Sequence, residues 1–136
     1  MSDLTQTIRD LYAAFGRGDV ATILAKLDPN MSLEVEGPAE ISFGGIRKGP
    51  EAVKGFIQAI GSDHADPKLE ITAYFSSADA VATFGRYICT LKNTGKRVDS
   101  PVAHLFKFRD GKIVCFVDHI NTAAFLEAAH SSAVGR

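Results

Sequence analysis

The chain has 136 residues, 46% hydrophobic and 23% charged, which fits one globular domain with a core of its own and no need of covalent staples. Fifteen basic against sixteen acidic residues leave a formal charge of -1, and no segment concentrates one sign, which argues against partners such as nucleic acid or an anionic membrane surface. No apolar run approaches the roughly 18–20 residues of a membrane span, and Met1-Ser2-Asp3 lacks the basic-then-apolar start of a signal peptide, so a cytoplasmic location is expected.

Leu4, Ile8, Leu11, Tyr12 and Phe15 recur at helical spacing until Gly16 to Gly18 end the run. Asp19 is placed to cap a second, shorter helix carrying Ile23, Leu24 and Leu27, which stops at Asp28-Pro29. Met31 to Glu36 alternates strictly and reads as a strand; Gly37-Pro38 breaks it, and Ile41 to Phe43 reads as a short continuation. Gly44-Gly45 reads as a turn, since no phosphate-loop pattern follows. Pro50 opens a third helix with Val53, Phe56, Ile57 and Ile60 on one stripe and Gly61 at its end.

After Pro67 the period becomes 2, giving strands over 68–75, 80–91, 98–108 and 112–120. The last two are joined by Arg109-Asp110-Gly111-Lys112, and Asp-Gly between alternating hydrophobics is a strong hairpin signal. Cys89 and Cys115 fall inside strand patterns as separate thiols, and no Cys or His pair has zinc-ligand spacing. Thr122 is placed to cap a last helix with Phe125 and Leu126, and residues 131–136 read as a frayed tail after a single domain over 1–130. Helices first and a meander afterwards predict an α+β fold with helices on one face of a curved antiparallel sheet. The strand over 80–91 is apolar or small on both faces, which predicts a homodimer through the outer one.

In the last strand Val114, Phe116, Asp118 and Ile120 alternate onto one face, with Ile113, Cys115, Val117 and His119 on the other. A carboxylate in line with buried apolar side chains needs a partner, a hydrogen bond or a proton, which makes Asp118 the leading candidate for chemistry. Arg86, between Phe84 and Ile88, would either pair with Asp118 or snorkel to the surface. His104 alternates with Val102 and Phe106 and so shares their face, whichever side of the sheet that is. His119 faces away from Asp118, and Glu36 continues a polar face with Ser32 and Glu34.

Tyr12-Ala-Ala-Phe15, Gly18-Asp19, Gly49-Pro-Glu-Ala-Val53, Asp110-Gly-Lys-Ile113, Asp118 and Asn121-Thr-Ala-Ala124, in this order, resemble the nuclear-transport-factor-2-like superfamily and within it the SnoaL-like group. The resemblance covers nearly the whole chain. It implies a cone-shaped curved antiparallel sheet, with three to four helices over its concave face enclosing an apolar pocket, usually in a homodimer. SnoaL-type polyketide cyclases are similar at His104 and Asp118, a histidine fourteen positions before an aspartate that acts as general acid/base in an aldol ring closure. Ketosteroid isomerases match less well: their helix-1 tyrosine falls at Leu11, beside Tyr12, their protonated aspartate at Ala103, and their base near Val35 or Glu36. That alignment would turn Ala103 and Leu105 to the pocket, whereas the cyclase likeness turns His104 there. Limonene-epoxide hydrolases share Asp118 and Arg86 but have a second aspartate where Ile88 stands.

The resemblance thus implies a site of Asp118, His104 and Arg86 in a pocket walled by Leu11, Tyr12, Phe15, Ile57, Phe84, Ile88, Leu105, Phe116 and Ile120. Its ligand would be an apolar small molecule, with no cofactor and no metal. Two functions follow: an acid/base enzyme for an apolar carbonyl compound, or a binding module in which Arg86 locks Asp118 structurally.

Overall fold

The computed structural model describes residues 4–35 and 44–134, with side chains up to residue 130. Glu36, the Gly37-Pro38 break, the strand expected over 41–43 and the end of the expected tail lie outside the described residues. The elements are α1 (Leu4–Gly16), α2 (Val20–Ala25), β1 (Leu27–Val35), β2 (Gly45–Lys48), α3 (Pro50–Asp63), β3 (His64–Ser76), β4 (Ala80–Leu91), β5 (Arg97–Arg109), β6 (Lys112–Ile120) and α4 (Thr122–Val134). One curved, unclosed sheet runs in the order β2-β1-β6-β5-β4-β3, and the helices pack on its concave face as in cone-shaped α+β folds. Every neighbouring pair is antiparallel except β1 and β6, which run parallel. Among the described residues no helix is long and apolar enough to cross a membrane.

The local rules that predicted these elements are visible in the hydrogen bonds. Asp19 caps α2, its carboxylate accepting from the Thr22 amide at 3.2 Å and the Thr22 hydroxyl at 2.6 Å. Asp110 and Gly111 both take positive φ, 52° and 78°, the left-handed pair that a two-residue hairpin with right-twisted strands requires. The stripe of α1 buries Ile8 and packs Leu11, Tyr12 and Phe15 against the core, and α3 buries Val53, Phe56 and Ile60.

Four expectations need correction. Helix α2 ends at Ala25, and Leu27 to Pro29 belong to β1, where the register with β6 shifts between Leu27 and Ser32; that irregular stretch accommodates a proline that regular ladder would exclude. Gly45 begins a strand instead of ending a turn, pairing β2 with β1. Asn121, not Thr122, closes the start of α4, its side-chain oxygen accepting from the Ala124 amide at 3.1 Å. Helix α4 then continues to Val134, through the stretch expected to fray after residue 130.

Strand β3 also starts earlier than its alternation suggests. It begins at His64, directly after α3, and crosses Asp66-Pro67 through a register shift between Ala65 and Lys68, with Asp66 at φ 51°. The bulge absorbs the proline, and it brings His64 into the sheet.

Candidate active site

Helices α1, α2 and α3 close over the concave sheet face and leave a cavity of about 100 Å³ whose wall is overwhelmingly apolar. At roughly 15 Å³ per water on this measure, it holds on the order of seven waters or a compact ligand of similar bulk. Leu11, Tyr12, Phe15 and Ile57 line the helical side, and Val102, His104, Phe106, Ile113, Phe116, Asp118 and Ile120 line the sheet side. Phe116 is half-buried on this wall, stacked on fully buried Phe106 with ring centres 4.6 Å apart.

Asp118 and His104 sit opposite each other on β6 and β5. Each residue is only 7% exposed, and His104 Nε2 stands 3.1 Å from Asp118 Oδ1. The ring N–H direction misses that oxygen, so Oδ1 is buried without an aligned hydrogen bond among the described residues. The other ring nitrogen, His104 Nδ1, lies 2.7 Å from the Tyr12 hydroxyl, which is 2.6 Å from Thr83 Oγ1. Thr83, Tyr12, His104 and Asp118 thus form a polar line drawn from three strands and the first helix. Burial pushes the Tyr12 phenol well above its ordinary range, with Thr83 pulling the other way, so it remains a hydroxyl throughout the physiological range.

The sheet decides the face of His104: alternation along β5 buries Val102, His104 and Phe106 and leaves Ala103 and Leu105 on the outer side. Leu105 is therefore not a pocket residue. Neither are Phe84, Arg86 and Ile88, because the pocket face of β4 carries Thr83 and Tyr87. Arg86 does not reach Asp118. Its side chain is 49% exposed and its Nε donates to Asp99 Oδ1 at 2.7 Å on the outer surface. Ile113 joins the pocket wall, contrary to plain alternation, because the β5–β6 register shifts between Lys107 and Phe108 and passes over Val114. His119 is exposed on the outer side, as its alternation predicts.

Two residues of the wall were not anticipated. His64 Nδ1 and the Tyr87 hydroxyl are 2.7 Å apart, both rings are buried, and both line the cavity. Tyr87 was hidden by assigning the wrong face of β4, and His64 by treating Asp66-Pro67 as the start of the sheet. Burial holds His64 below its ordinary value, against a smaller opposing pull from Asp63. With the folded value below the unfolded one, about 6.5, the unfolded chain binds more protons between the two, so stability rises with pH there. This contribution is present above the unfolded value and lost as pH falls through the folded one. We expect the urea midpoint to fall between about pH 7 and pH 5, and His64→Gln to flatten that slope; an unchanged slope in the variant would assign it to other groups.

Cys89 and Cys115 are free thiols, and burial pushes Cys89 up to about 11, too high for a nucleophile at neutral pH. Among the described residues no group of three His, Cys, Asp or Glu is arranged to hold a metal ion.

The sequence model of the SnoaL-like domain family matches residues 8–116. A comparison with curated proteins gives no match. Among solved structures, a nuclear-transport-factor-2-like protein of unknown function from Burkholderia pseudomallei is 28% identical with a TM-score of 0.85, covering 94% of this chain and 98% of its own. A second such protein, from Burkholderia thailandensis, is 26% identical with a TM-score of 0.86, covering 95% and 98%. A protein of ketosteroid isomerase-like fold from Catenulispora acidiphila, solved with trimethylamine, has a TM-score of 0.76 over 90% of each chain at 16% identity, a likeness of fold alone.

Proposed function

The chain belongs to the SnoaL-like domain family, and from that membership we propose that it is a cofactor-independent acid/base enzyme of cyclase or isomerase type, acting on an apolar carbonyl compound with Asp118 as the proton-transferring group. Membership supplies the fold; the activity rests on the site. The observation that carries it is the buried Asp118 Oδ1, left without an aligned hydrogen bond in an apolar cavity beside His104. A buried polar atom of this kind is costly and rare outside sites that use it.

The polar line accounts for the proton. Thr83 can donate to the Tyr12 oxygen and Tyr12 to His104 Nδ1, which places the imidazole proton on Nε2, facing Asp118. A substrate C–H next to a carbonyl then breaks, its proton passing to Asp118 Oδ1 and its electron pair to the carbonyl oxygen. The His104 Nε2–H is the nearest donor for that oxyanion. Return of the proton to a different carbon gives isomerisation; attack of the enolate carbon on a second carbonyl gives ring closure. The apolar wall excludes water, which strengthens each of these interactions.

The binding-module alternative loses its structural premise, since Arg86 is engaged by Asp99 on the other side of the sheet. The test is deuterium exchange at the carbon beside the carbonyl across a panel of compact ketones and polyketide-like esters. Exchange accelerated by the protein in any of them is expected, and none across the panel would remove the acid/base reading.

A homodimer through the outer sheet face is part of the proposal. Phe75 and Phe84 pack edge-to-face there, 5.9 Å apart, and are 62% and 45% exposed, a patch that a second copy would cover. Sedimentation equilibrium at micromolar concentration should give twice the chain mass; a monomer would refute it.

A further inference from the structure

His64 and Tyr87 form a second polar station in the pocket, which the proton chemistry above leaves unused. Tyr87 and Thr83 share a face of β4 four residues apart, roughly 13 Å along the strand. The pair is therefore separate from the Thr83–Tyr12–His104–Asp118 line, although the Asp118 charge is felt at both phenols, Tyr12 and Tyr87. Asp118 thus lies within electrostatic reach of both stations. Phe125 of α4 stacks on both rings of the second station, 5.8 Å from His64 and 6.4 Å from Tyr87, and fixes their planes.

We propose that the His64–Tyr87 pair orients the substrate by hydrogen-bonding an uncharged oxygen function, such as a hydroxyl, at the end remote from the carbonyl that Asp118 works on. The proposal rests on the acid/base reading only in placing the reacting carbonyl at Asp118. A phenol oxygen can donate once and accept as well, so Tyr87 has capacity for a ligand while bonded to His64. Burial pushes Tyr87 far up and His64 down, so both are uncharged at neutral pH and supply no counter-charge. An ionic group placed against them would lose its hydration without compensation. Seating Phe125 would need no polar atoms; two phenylalanines would stack on it without any hydrogen-bond requirement. The substrate class that follows is compact, uncharged and apolar in the middle, with a carbonyl flanked by an acidic C–H at one end and a neutral hydrogen-bonding oxygen at the other.

The test uses acetophenone and 4-hydroxyacetophenone in mildly acidic buffer, where both are uncharged, with affinities from NMR titration of the whole protein. The hydroxylated compound should bind about three- to tenfold tighter, the worth of one net hydrogen bond. Tyr87→Phe should erase that preference and leave the acetophenone affinity unchanged. In the wild type, the His64 imidazole resonances should move with the hydroxylated compound and stay with acetophenone, a readout that holds even if the variant fails to fold. Equal affinities, a preference that survives in Tyr87→Phe, or saturable binding of neither compound would overturn the proposal. Deuterium exchange at the acetyl methyl reports separately on Asp118. Exchange without the preference removes the orienting pair alone, and preference without exchange removes the acid/base reading alone.

Discussion

Gly85→Ala is expected to destabilise the protein by about 3 kcal/mol or more, at or beyond the upper end for overpacking. A Cβ at this position would overlap the Glu70 carbonyl oxygen and stand 2.8 Å from Ile71 Cα and 2.9 Å from the Glu70 carbonyl carbon. All three are backbone atoms, so no rotamer change can relieve the clash. Gly85 pairs with Ile71 where the β3–β4 register shifts between Ile71 and Ala73, and the missing side chain lets the edge strand cross close to its neighbour. Relief would require β3 to lift from β4, and β3 carries His64 and Leu69 of the pocket wall. Urea melts of Gly85→Ala against wild type measure the effect. A loss below about 1 kcal/mol would mean that β3 adjusts there at small cost.

That glycine also shows where sequence patterns stop being informative. Helices α1 and α3 and the Asp110-Gly111 hairpin could be read directly, because each combines one dominant period with a terminator or turn residue of specific chemistry. Asp118 and His104 were legible for a related reason: a polar side chain on an apolar face is conspicuous at any register. The face of β4 was not. Val81, Thr83, Tyr87 and Cys89 on one side and Ala82, Phe84 and Ile88 on the other are similar enough that periodicity cannot say which turns inward. Arg86 carried the signal that was available, since a lone charge on a strand face favours solvent, and Asp99 on the adjacent strand supplied its partner. The bulges at Asp66-Pro67 and Val114 are invisible to a count of alternating residues, and they place His64 and Ile113 in the pocket.

Asp118→Asn should abolish proton exchange while leaving the fold nearly unchanged. The amide keeps the shape of the carboxyl group and can still face His104 Nε2 with an oxygen, but it cannot take a proton at neutral pH, and loss of a general base lowers rates by about 10²- to 10⁴-fold. Stability should move by about 1 kcal/mol or less, because exchanging a buried carboxylate for a neutral group removes a desolvation cost while leaving an acceptor in place. A purely structural ion pair between His104 and Asp118 gives the opposite result. Breaking one side of such a buried pair costs about 3–5 kcal/mol and strands the remaining charge. Arg86→Ala is the control, since its guanidinium lies on the outer face with Asp99; it should leave exchange intact, whereas a pocket arginine would not. Chemical melts and methyl-exchange rates on both variants therefore separate the readings. An Asp118→Asn protein that exchanges substrate protons at the wild-type rate, whatever its stability, would end the assignment of Asp118 as the acid/base.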